Sequence, residues 1–172
     1  MRRRGVRRLG DGLIEVRLGA GEHGALSSLA EQLLPLLRGE GDLDTPGGSV
    51  AARLFPAAYD DPLEELEFRE LLGEEVHGVR AGALESFART LQRGKDGARG
   101  WSVMLDAEEA DAWLSAINDS RITLGMIAGV QREQDWEAVH ARGDVTGALL
   151  AYLGWLQEEL LAALLGGLPD PG

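Results

Sequence analysis

The chain has 172 residues, 44% hydrophobic and 27% charged, a balance typical of a soluble globular protein long enough to bury a core. It has no cysteine, which excludes disulfides, zinc–thiolate and iron–sulfur ligation and any thiol switch within it, and fits a cytoplasmic protein. Its net charge of −12 is unevenly spread: residues 1–17 carry +4 and the remainder −16, which excludes a broad nucleic-acid-binding face.

One compact basic patch is left, Arg2, Arg3, Arg4, Arg7 and Arg8. It is either a solvated strand face next to a charged terminus or a contact for DNA or an acidic protein partner. Residues 4–9 and 13–18 read as a β-hairpin turning at Asp11-Gly12, with Ile14, Val16 and Leu18 alternating with Glu15 and Arg17. Two strands alone are marginal, so helices must cover them. Gly19, Gly21 and Gly24 match a dinucleotide-binding fingerprint, but Glu22 would repel a pyrophosphate and no second apolar strand follows. The glycines are then a permissive helix start.

That helix runs from about 24 to 38 on Leu26, Leu29, Leu33 and Leu37, with Pro35 kinking or ending it. Residues 39–48 form a loop by composition and the chain's likeliest flexible segment. Its acidic pair Asp42 and Asp44 fails as a calcium loop, because Pro46 takes a ligand position and Arg53 stands where a bidentate glutamate belongs. Asp61-Pro62 with Glu64 starts a helix to about Leu72, and another follows over about 74–93. Gly94 to Gly100 is a polar loop leading into a short extended piece, Trp101 to Leu105.

Asp106 with Glu109 is a capping box, and Gly129 a stop, for the best-signalled helix of the chain. After an irregular link near 130–143, Asp144 caps a final helix to about Leu165. That helix is apolar nearly all round over 149–156, so it is either central in the fold or half-buried in a partner, which a homodimer would satisfy. Gln157, Glu158 and Glu159 interrupt it, so no membrane span is expected. The N-terminus lacks the apolar run of a signal peptide.

Two Glu-x-x-His pairs, Glu74/His77 and Glu137/His140, have the spacing of di-iron bundle ligands. Surface helix ends are the favoured explanation, since glutamate is abundant and Arg142 and Gly143 mark a helix end beside His140, and no metal is expected. No nucleophile–histidine–acid arrangement stands out, and no cofactor motif survives these tests.

The 106–129 helix places Asn118 and Arg121 between apolar rows, as a polar core network or a ligand site. An unpaired arginine there would cost roughly 3–5 kcal/mol. A carboxylate partner is therefore expected, with Glu67 and Glu70 the best placed. Asp119 projects about 200° away around the helix and is a poorer partner.

The runs Ala112-Trp113-Leu114 and Ile117-Asn118-Asp119 with Arg121, Leu124 and Gly125, together with Arg53-Leu54-Phe55-Pro56, Tyr59, Asp61 and Glu67-Phe68-Arg69, resemble the DUF2017 family over nearly the whole chain. The family is found chiefly in high-GC bacteria. Some members are AosR-type transcriptional regulators of the oxidative-stress response that act through cysteines, so the resemblance implies transcriptional control without that sensing chemistry here. The expectation is a mainly α domain over 1–168 with a tail at 169–172, about five helices and an N-terminal hairpin. The expected role is non-catalytic: a cytoplasmic, homodimeric regulatory or interaction protein. The alternatives are an adaptor without a nucleic-acid role, or a helical enzyme using a ligand or metal.

Overall fold

The computed structural model describes residues 5–98 and 100–166. The hairpin forms as expected, β1 (Gly5–Arg8) against β2 (Ile14–Leu18) in antiparallel register, Val6 opposite Val16. Leu13 N–H donates to Asp11 Oδ1, which closes the turn. Arg2, Arg3 and Arg4 and the 169–172 tail lie outside the described residues.

Helix α1 (Ala20–Leu37) starts four residues earlier than its leucine row suggests, because Glu22 accepts from Gly19 N–H and completes the first turn. That carboxylate sits at the helix N-terminus, where a pyrophosphate would have to lie, so the glycine fingerprint is a helix start. Pro35 falls in the last turn, and the helix ends two residues after it, as expected. The 39–48 loop is more ordered than its composition suggests. It carries a two-residue ladder, β3 (Asp44–Thr45) with β4 (Gly48–Ser49), and Gly47 N–H donates to Met126 O. A Cβ on Gly47 would come within 2.8 Å of the Met126 backbone, so only glycine lets this loop dock. Ser49 then caps the short α2 (Val50–Leu54).

The two helices expected over 61–93 are one, α3 (Pro62–Arg93), capped by Asp61. Gly73 does not break it: a mid-helix glycine costs about 1 kcal/mol, less than ending one helix and nucleating the next. Strands β5 (Lys95–Gly97) and β6 (Gly100–Leu105) follow. The extended piece 101–105 is thus a central strand, pairing β2 on one side and β5 on the other in a four-stranded antiparallel sheet ordered β1-β2-β6-β5.

Helix α4 (Ala107–Ile127) has the Asp106/Glu109 capping box in place. It packs on α1, α2, α3 and β6 and on the final helix, which makes it the central element. Trp113 is fully buried, edge-on to Phe87, and its Nε1 donates to Thr90 Oγ1 at 2.7 Å. Ser120 and Thr123 face the interior with their hydroxyls bonded to carbonyls one turn back, which satisfies them. The link region contains α5 (Asp135–Ala141).

Last comes α6 (Val145–Leu165), whose Asp144 cap accepts from Gly147 N–H. Its buried row is Leu150, Leu153, Leu156 and Leu160, while Trp155, Leu161 and Leu165 are exposed. The helix has the length and apolarity of a membrane span, but that leucine row packs into the protein core. The described residues therefore contain six helices, and the fold is mainly α with a small sheet.

Candidate functional site

The two sequence motifs meet in space. Phe55, just after α2, packs at a tilt of 48° against the His77 ring with centroids 4.0 Å apart, and the Arg80 guanidinium lies over the same phenyl ring at 5.4 Å. Arg80 also donates to Asp119 of α4, tying the second motif to the first. Asp119 is 2% exposed, whereas the Arg80 side chain keeps about a third of its surface in solvent. Burial outweighs the guanidinium's attraction and raises the Asp119 pKa from 3.8 to about 6.

The His77 Nδ1–H donates to Leu37 O at the end of α1, so its tautomer is set by a carbonyl that can only accept. Arg69 reaches both Glu65 and Phe55 O, and Glu65 accepts from the amides of Ala58 and Tyr59. Tyr59 packs edge-on against Phe68. The run after α2 is thereby strapped to α3. Between α3 and these neighbours lie two adjoining hollows. One of about 530 Å³ opens between the end of α1 and α3, and one of about 200 Å³ opens at Phe55 and Val76. Arg69, Gly73 and His77 line both.

The expected Arg121 pairing is corrected. Arg121 Nη1 donates to Gln157 Oε1 of α6 at 2.6 Å, its Nε is buried without a hydrogen-bond partner, and its guanidinium stands 6.0 Å from the Trp136 ring. Glu67 and Glu70 are exposed on the outer half of α3, which does not reach that side of α4. The charge pair that α4 does bury is Arg80–Asp119, which uses the carboxylate judged a poor partner for Arg121. Asn118 is corrected as well: it is exposed with Asp111 and Ser115 on the solvent row of α4, outside any core network. The interior row runs through the small residues Ala116, Ser120 and Thr123, which were not counted as core. Two glycines explain the motif around Arg121. Gly125 leaves room for the Trp136 indole, which a Cβ would meet at 2.8 Å, and Gly154 faces the guanidinium.

On the hairpin, Arg7 and Arg17 both donate to Glu15, at 2.8 and 2.6 Å. The Arg17 hydrogen bond is the main reason that the Glu15 carboxyl sits below its ordinary range, although only 6% of the residue is exposed. Arg8 donates to Ala163 O near the end of α6, at 3.4 Å. Of the basic patch, the described Arg7 and Arg8 thus both have partners within the fold. Of the Glu-x-x-His pairs, His77 lies in the cleft just described and His140 stacks on Trp136. Among the described residues no three His, Asp or Glu side chains gather as a metal site.

A family model described as a domain of unknown function, DUF2017, matches residues 2–164. The chain belongs to this family. No curated protein and no solved structure matches it. In this DUF2017 chain the Phe55–His77–Arg80–Asp119 cluster went unnoticed in the sequence, although Phe55 and Asp119 both lie in the motifs that carry the resemblance. The available signal was the i, i+3 spacing of His77 and Arg80 on one helix face.

Proposed function

We propose that this DUF2017 chain is a non-catalytic interaction protein whose working surface is the outer half of α3. The carrying observation is exposure. Leu63, Leu66, Leu71, Leu72, Val76 and Val79 all lie in residues 62–79 and are open to solvent, Leu71 at 81% and Val79 at 71%. Buried positions on α3 begin only at Ala81. Scattered surface leucines are ordinary, but six large apolar side chains spread around five turns of one half-helix mark a segment that a partner covers. The Phe55–His77–Arg80–Asp119 cluster lies at its base and fixes this half-helix to α4. Transcriptional control, as the resemblance implies it, fits this reading as control exerted through a bound protein, since Arg7 and Arg17 already oppose Glu15.

A photo-crosslinking residue placed at Val79 in the native host tests this. A discrete adduct from Val79, absent from a control position at exposed Glu31 on α1, supports the reading. No adduct from Val79 overturns it.

A second reading, a homodimer through α6, is supported by the outward Trp155, Leu161 and Leu165. Sedimentation velocity would then show a dimer that Leu161→Glu converts to monomer, and a monomeric parent chain would exclude it.

A further inference from the structure

The hollow of about 530 Å³ between the end of α1 and α3 has a distinctive floor and rim. Its floor is Gly73, a mid-helix glycine whose added Cβ would meet nothing within 4 Å. Alanine there would favour the helix by about 1 kcal/mol, so glycine keeps the groove deep at a cost to α3. One helix row outward runs Leu63, Glu67, Glu70 and Glu74, and the next runs Leu66, Gly73 and His77.

The lining of the groove sets Arg38 and Arg69 against Glu40 and Glu74, and the negative excess comes from the α3 segment beside it. Residues 60–79 hold eight carboxylates and one arginine, Arg69, which is bonded to Glu65. The other arginine lining the groove, Arg38, is paired with Glu85 at 2.6 Å. The opposite wall is the end of α1, whose last four carbonyls are all hydrogen-bonded within the chain, followed by the exposed Glu40. Both cations of the groove are therefore answered within the chain, while Glu67, Glu70 and Glu74 have no counter-charge of their own among the described contacts.

We infer that this groove receives a basic amphipathic helix of a protein partner. An apolar side chain of that helix enters over Gly73, and its Arg or Lys side chains meet Glu67, Glu70 and Glu74. This rests on the interaction reading of α3 and names the partner's chemistry. Length favours a helix over a small molecule, because the α3 wall of the groove, Arg69 to Ala81, spans about 18 Å and the acidic row continues beyond it to Glu67. Backbone chemistry favours it over an extended peptide: α3 presents no free strand edge, so an incoming chain must satisfy its own amides. A second copy is disfavoured, since the outer half of α3 against itself would oppose six carboxylates with six.

The test uses the whole protein and two fluorescein-labelled 20-residue peptides sharing one leucine row, with arginine at the polar positions of one and glutamate in the other. Fluorescence anisotropy at physiological salt should show the arginine peptide binding at least a hundredfold more tightly than the glutamate peptide. Gly73→Leu, which fills the floor, should weaken binding about tenfold while the melting temperature holds or rises. Glu67→Gln/Glu70→Gln/Glu74→Gln should weaken it by a similar factor and flatten its salt dependence. Undiminished binding by Gly73→Leu would mean that charge alone holds the peptide, and it overturns the groove assignment. Failure of the arginine peptide to bind overturns it too, as does a dimer of the parent chain that Gly73→Leu dissociates. A Val79 adduct in cells together with no peptide binding keeps the interaction surface and removes only the basic helix.

Discussion

Glu15 and Asp119 are both carboxylates held inside the fold, and their surroundings drive them in opposite directions. Glu15 lies between two guanidiniums, Arg7 and Arg17, and its proton is lost more readily than usual. Asp119 has a single guanidinium, shared with the Phe55 ring and about a third exposed to solvent, and burial raises its pKa to about 6. The lesson is one of counting. A second cation turns a buried carboxylate from a liability at neutral pH into a stabilising pair. The costly carboxylate is also the one that joins the two family motifs, a pattern more often found at working parts of proteins than in scaffolding.

Breaking the comparison should start at Arg80. Arg80→Met strands Asp119 and should lose about 2–3 kcal/mol at pH 7, with roughly half recovered at pH 5, where the carboxyl is neutral in both proteins. Urea denaturation followed by tryptophan fluorescence at the two pH values reads this directly, and a pH-independent loss would show that Asp119 is not the cause.

Asp119→Asn tests the same pair from the other side. The folded pKa lies above the ordinary 3.8, so this group's stabilising contribution is present below about pH 4 and is lost as pH rises through 6. Relative to the parent, Asp119→Asn should therefore gain up to about 2–3 kcal/mol between pH 4 and pH 7. A flat difference between those pH values would refute the raised pKa.

Glu15→Gln should behave oppositely. Its folded pKa lies below the ordinary 4.5, so its contribution is present above that value and disappears as pH falls through the lowered one. The substitution should cost about 1–2 kcal/mol at pH 7 and progressively less as the pH falls below 4.5. The smallest effect belongs to Arg121→Met, about 1 kcal/mol or less, because Gln157 is neutral and its amide can rebond to water. A loss above about 3 kcal/mol would reveal a carboxylate partner after all.

What the sequence made legible was local. The turn at Asp11-Gly12, the caps at Asp61, Asp106 and Asp144, and the glycine stop at Gly129 all rest on bonds within a few residues, and each stands where the residues place it. What failed was choice among distant partners. Arg121 needed a hydrogen-bond acceptor, but only packing decides that α6 offers Gln157 while Glu67 and Glu70 project into solvent. Residues 101–105 read correctly as extended, yet nothing local says that they lie between β2 and β5. Asn118 was misplaced because the large apolar residues were taken to mark the interior, whereas α4 also buries its small ones. Gly73 looked like punctuation because its open surface, unlike its conformational cost, has no local signature.

The uninterrupted α3 also has a kinetic consequence. One hydrogen-bonded ladder about 48 Å long is anchored by Leu84, Phe87 and Leu91 at one end and washed by solvent at the other. Its amides should not open as a unit. Deuterium should enter residues 64–72 on the timescale of local fraying, while residues 84–91 exchange only when the whole chain unfolds. Such a gradient is itself a detector, since whatever seats itself on the outer turns would slow their exchange towards that of the anchored ones.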